Sequence, residues 1–242
     1  LRNRPLNVEL ENLTDSNPFS FIYTYISIFI VYMLVIFYGN IIATSVAREK
    51  SDRTMELLIT STTPKKLLFG KVFGAGIAGL LQFVTILVFG LVGLMINLPK
   101  VGVNLSDFFN LSTREVVIML LFILLGYFMY LFIYAMLGST VSKTEEAAQA
   151  TMPIMLIFVG AYILVNSTLS MPNSMAMKIA SFVPFSAPIG MVARANLASN
   201  ITVIEIIISA LLLILSTIIF AFVGSIIYRL GSLNYGNRLK FG

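Results

Sequence analysis

Val116 to Leu137 reads VVIMLLFILLGYFMYLFIYAML, twenty-two residues without a charge. A helix of about 20 residues crosses a hydrocarbon core ~30 Å thick, and in lipid a single segment satisfies its own backbone only as a helix. The stretch therefore predicts a membrane span. Its start is marked by Ser112-Thr113-Arg114-Glu115, where Ser and Glu stand at capping-box spacing.

The same reading extends in both directions. Apolar runs over 21–45, 67–98, 144–169 and 201–228 predict four further spans. Thr63-Pro64 marks the second start, because Thr can cap and Pro suits the first helical position. Ser142-Lys143-Thr144-Glu145 has capping-box spacing before the fourth, and Pro153 is expected to kink that helix. Residues 171–200 contain Pro172, Pro184 and Pro188 around an apolar segment too short to cross, with Lys178 in its middle. They read as an external interfacial or re-entrant element. The predicted fold is thus all-α and polytopic, with five transmembrane helices.

Composition agrees. Of 242 residues 58% are hydrophobic and 11% charged, where a soluble domain carries roughly a quarter charged residues. Cys, His and Trp are absent, which removes thiol and imidazole catalysis and Cys or His metal sites. The net charge of +5 has a topological reading. With 46–63 on the cytoplasmic side, that side holds ten of the sixteen basic residues (Arg48, Lys50, Arg53, Lys65, Lys66, Lys71, Lys143, Arg229, Arg238 and Lys240) against five of the eleven acids. The inner face is then +5 and the outer face neutral, as the positive-inside rule expects, and nucleic acid is not needed as a partner. Residues 1–18 become an external tail and 229–242 a cytoplasmic one. A start on the outside without a signal peptide implies a preceding translocating segment, hence a longer polypeptide.

Between the first two spans, SVAREKSDRTMELL (45–58) places Arg48 opposite Asp52 and Glu49 opposite Arg53 at i,i+4 on a helix, next to Met55, Leu57 and Leu58. Such a helix can lie on the membrane surface and dock on a soluble partner; a solvated loop obeying the positive-inside bias fits the same residues. Gly70-Lys71 has a superficial likeness to a phosphate-binding loop, but Lys65 stands where a Gly is required and Val72 where Ser or Thr is. Gly70, Gly74 and Ala78 form a small-xxx-small ridge suited to close helix packing. Asn40, Gln82, Thr85, Tyr127, Tyr130, Tyr134 and Asn166 are polar groups within spans, able to line a translocation path or to hydrogen-bond between helices. Charges within spans are few. Glu205 is the exception, near the outer end of the last one.

The long span followed by VAREKSDRTMELLITSTTPKKLLFGKVFGAGIAGLLQ, together with SFVPFSAPIGMVARA (181–195) and IYRLGSLNYGNRLKF near the end, resembles type-2 ABC exporter permeases, in particular the Nat-type sodium-efflux branch. That resemblance implies six spans in the full protein and a multi-pass place in a bacterial cell membrane. It further implies a coupling helix at about 48–60 seated in a cleft of a separate ATPase. Arg48, Glu49, Asp52, Arg53, Met55 and Glu56 would make its contacts, with Lys143, Glu145 and Glu146 as a second contact set or an ordinary helix cap. The chain itself would be non-catalytic and hold no cofactor or metal; ATP and Mg would bind the partner ATPase. A second permease copy or homologue would complete a dimer. Cargo could be sodium, a drug, a peptide or a lipid. The competing class is a secondary carrier or channel, which should show intramembrane charges or inverted repeats.

Overall fold

The computed structural model describes residues 20–52, 61–97, 112–198 and 201–233. Its helices are α1 Ser20–Ser51, α2 Pro64–Asn97, α3 Thr113–Thr140, α4 Ala147–Ser167, α5 Met175–Phe182, α6 Ala187–Leu197 and α7 Val203–Leu233. Among the described residues there is no strand, and five helices, the fourth counted from the 3₁₀ turn Thr144–Glu146, are long and apolar enough to cross a membrane. The chain is a polytopic all-α membrane protein.

α3 is the central post. It packs most extensively on α7 and α1, then on α6, and Phe122, Tyr127, Tyr130 and Tyr134 along it are fully buried. In lipid the hydrophobic effect does not drive helices together, so association rests on side-chain packing and interhelical hydrogen bonds. Aromatic contacts supply part of it: Tyr130 meets Phe158 of α4 with ring centroids 4.7 Å apart, and Tyr32 of α1 meets Tyr162 at 4.7 Å. Large apolar side chains such as Leu81, Phe89, Ile204 and Phe222 point outward. A belt of that kind suits acyl chains and would aggregate in water. α2 is the most peripheral helix, with 6% of its most apolar window buried against 56% for α3.

Polar side chains inside these helices bond back to carbonyls of their own helix. Asn40 Nδ2 donates to Ile36 O (2.8 Å), Thr85 Oγ1 to Leu81 O (2.8 Å) and Asn166 Nδ2 to Tyr162 O (2.9 Å). A group satisfied this way costs little in lipid.

α1 continues beyond residue 45, the expected end of the first span: nothing between Ser45 and Ser51 breaks a helix, and Arg48, Glu49 and Lys50 form its last turn. Two local expectations are corrected. The fourth helix has no capping box. The extended residue before its 3₁₀ turn is Lys143 (φ −123°, ψ 145°), one position beyond Ser142, and it makes no side-chain cap bond; the Ser142 hydroxyl is buried without a partner among the described residues. By contrast, Ser112 and Glu115 cap α3 reciprocally, at 3.3 and 2.9 Å. Finally, the glycine ridge packs on nothing among the described residues: a Cβ at Gly70 or Gly74 would meet open space, whereas one at Gly76 or Gly79 would run into Phe128 and Leu131, or Tyr38 and Tyr127. The close face of α2 is two residues round from the one the spacing suggested.

Between α4 and α7 the chain forms a helical hairpin, α5 and α6. Its tip reaches the middle of α3. Gly126 lies 13 residues from Thr113, a rise of ~20 Å, and a Cβ there would collide with the Pro188 ring. Only glycine lets α6 approach this closely. At that depth each irregular backbone group needs a partner. The Tyr130 hydroxyl donates to Phe185 O (2.7 Å), Ser186 Oγ to Ala180 O (2.7 Å), and Ala187 N to Val183 O (2.7 Å). Ala187 to Arg194 are all buried, while Lys178 of α5 is exposed.

Candidate functional site

At the end of the bundle bearing Arg48, the last turn of α1 presents three charges with three different fates. Arg48 Nε and Asp52 Oδ2 are 3.7 Å apart, with side chains 75% and 59% exposed. A pair so solvated contributes about 0–1 kcal/mol, so these two groups remain available to a partner. The Glu49 carboxylate is ion-paired with Lys71 of α2, and Lys71 Nζ also donates to Ser45 Oγ (3.3 Å). Helical spacing alone pairs Glu49 with Arg53; the fold supplies Lys71. Lys50 is 2% exposed, and its Nζ donates to Ser139 O of α3 (3.2 Å). Arg53, Met55 and Glu56 lie outside the described residues.

The second set stands next to the first. The 3₁₀ turn Thr144–Glu146 packs on α1, and beneath it Ala47, Val141 and Ala147 form a small apolar cluster. Lys143 and Glu145 are exposed and Glu146 partly so. Two segments roughly 90 residues apart in sequence thus share one surface, at which Arg48 and Asp52 also emerge.

The seven polar span residues do not converge within one chain. Tyr127, Tyr130 and Tyr134 are sealed in the core: Tyr127 donates to Gly76 O (3.2 Å), Tyr130 to the hairpin tip, and the Tyr134 hydroxyl has no partner among the described residues. Gln82 and Thr85 face outward on α2, and Asn166 bonds within α4. Asn40 is placed differently. Together with Ile36, Phe37, Ile41, Thr44, Ser45 and Arg48 it lines an open groove of about 580 Å³ along α1, and its Oδ1 accepts from Thr151 Oγ1 (3.4 Å).

At the opposite end of the bundle is a pair of which the sequence singled out only Glu205. Arg194 of α6 is 1% exposed; its Nη2 is 3.0 Å from Glu205 Oε2 of α7, and its Nη1 donates to Ser181 Oγ (2.9 Å). Ser209 Oγ donates to Ser181 O (2.5 Å). The hairpin is thereby tied to the first turns of α7. A lone arginine in an otherwise apolar segment, with a lone glutamate eleven residues on, was the available signal.

The chain is a multi-span helical bundle whose α5–α6 hairpin folds back against α3 and one end of which carries a charged surface. The sequence model of the ABC-2 family transporter protein matches residues 1–226, and the chain belongs to that family. It is 34% identical over 221 residues to "Uncharacterized protein YhaP" of Bacillus subtilis (strain 168), covering 90% of this chain and 52% of that protein. It is 31% identical over 212 residues to "Uncharacterized protein MJ1024" of Methanocaldococcus jannaschii, covering 88% and 50%. The chain spans about half the length of these curated relatives. No solved structure matches it significantly.

Proposed function

We propose that this chain is the membrane-spanning part of a permease of an ATP-driven exporter, with ATP hydrolysed by a separate subunit docked at the Arg48 end. The observation that carries the reading is the family match over residues 1–226 combined with the shared surface of residues 48–52 and 143–146. Charged groups set register at such contacts and adaptable apolar ones fill pockets; Met55, Arg53 and Glu56 continue the segment. That end is cytoplasmic by its basic excess.

The groove on α1 supports a paired arrangement. Asn40, Thr44 and Ser45 line it next to the charged end at Arg48, and a strip of polar groups along one helix suits hydrogen bonding with a facing helix. A second permease copy opposite this face would enclose the groove. Export of sodium follows from the Nat-type resemblance; drugs, peptides and lipids are the other cargoes of similar permeases.

The test uses the full-length protein expressed with its ATPase. Arg53→Glu and Glu56→Lys should reduce pull-down of the ATPase about tenfold, a loss of ~1.4 kcal/mol, with membrane insertion unchanged and Lys100→Glu behaving as the parent does. Equal pull-down by all three variants would make 48–60 an ordinary loop.

A further inference from the structure

The last four carbonyls of a helix have no partner within it. At the end of α3 one of them is met locally, by Thr140 Oγ1 donating to Leu137 O (2.7 Å), while Ser139 Oγ donates to Met136 O one position earlier (2.6 Å). The Ser139 carbonyl is met from outside. Lys50 reaches it from α1 through 3.2 Å, and Gly231 of α7 presses on its other side, where a Cβ would strike the carbonyl oxygen. One residue earlier, Gly138 abuts the Ala43 backbone so closely that a Cβ would overlap it. Glu49, adjacent to Lys50, holds Lys71 of α2. Three helices therefore meet around one carbonyl, and α2 is joined to the same turn of α1 through Lys71 and Glu49.

A buried ammonium ion costs several kcal/mol of desolvation, which the negative end of the α3 dipole only partly offsets. A leucine or methionine would fill the same space at less cost. What the ammonium adds is direction: it fixes the end of α1 to the end of α3. From there α3 runs ~20 Å, by its rise per residue, to Gly126 and Tyr130, where it holds the hairpin tip through Pro188 and Phe185 O.

We infer that Lys50 is a positioning residue, the pin through which displacement of the Arg48 end of α1 is passed to α3 and along it to the α5–α6 hairpin. This rests on the permease reading above. Gly231 serves the same joint by letting α7 follow the α3 terminus.

The experiment uses the full-length protein with its ATPase in native membranes and needs no knowledge of the cargo. The chain has no cysteine, so Lys178→Cys on exposed α5 can be labelled with an impermeant maleimide, with and without ATP and vanadate. In the otherwise unsubstituted complex the two rates should differ by about fivefold or more, the usual scale of coupling between sites. In Lys50→Met the ATPase should still co-purify while the ratio collapses to about one, and Lys50→Arg, which keeps a cationic donor, should retain most of it. Gly231→Ala should also collapse the ratio, and it decides the matter if Lys50→Met does not accumulate. Variants that bind the ATPase and keep the parent's ratio overturn the pin while leaving the permease reading intact. Labelling at 178 that ignores ATP in the parent complex overturns the transmission itself. Absence of an ATPase from that complex overturns the permease reading and the pin with it.

Discussion

Replacing Glu205 by Gln removes the charge that faces Arg194 while keeping the size and one accepting oxygen. Arg194 is 1% exposed, and its remaining contact is Ser181 Oγ at 2.9 Å, with Nε unpartnered. Breaking a fully buried pair by removing one partner costs about 3–5 kcal/mol. The Glu205 side chain is 30% exposed, so water softens the loss, and about 2–3 kcal/mol is expected. For a chain of this size that corresponds to a fall of about 5–10 °C in the unfolding midpoint. Arg194→Met should cost less, because the carboxylate left behind keeps access to water and the Thr202 N–H at 3.4 Å. The double variant Arg194→Met, Glu205→Gln should be more stable than Glu205→Gln alone by about 1–2 kcal/mol. The assay is thermal unfolding in lipid nanodiscs at one fixed scan rate, since such unfolding is commonly irreversible. A Glu205→Gln midpoint within about 1 °C of the parent, or a double variant no better than the single, would refute the brace.

The hairpin tip gives two further predictions. Tyr130→Phe leaves the Phe185 carbonyl buried without its donor and should cost about 1–3 kcal/mol, with faster amide exchange over 183–188 read by mass spectrometry; unchanged exchange would show that the carbonyl has another partner. Gly126→Ala drives a methyl into Pro188 and should cost about 1–3 kcal/mol in the nanodisc assay. Gly70→Ala and Gly74→Ala, which meet open space, should leave that midpoint unchanged.

The spans were legible because lipid imposes a demand that sequence displays directly, namely uninterrupted apolar residues over about 20 positions. The hairpin was legible as a short apolar segment among prolines, but its depth was not, because that depends on one glycine in α3 facing one proline in α6. Helix ends divided according to what sets them. Ser112 and Glu115 follow local capping chemistry. Ser142 is two residues beyond Thr140, and that short link shifts the extended position to Lys143. The ion pairs were the least legible. Glu49 had a plausible local partner in Arg53, and nothing in a helical wheel announces Lys71, twenty-two residues away. Lys50 read as one more positive-inside charge until the fold placed Ser139 beside it. Tyr127, Tyr130 and Tyr134 had the residue types of a lined path, yet their register on α3 turns them into the core.

The central claim, an ATPase seated on the Arg48 end, is tested most directly by site-specific photocrosslinking in cells. A benzophenone amino acid is placed either at exposed position 48 or at exposed position 114 on the opposite end of the bundle. Irradiation should yield an adduct with the ATP-hydrolysing subunit from position 48 and none from position 114. No such adduct from position 48, or equal adducts from both positions, would contradict the account.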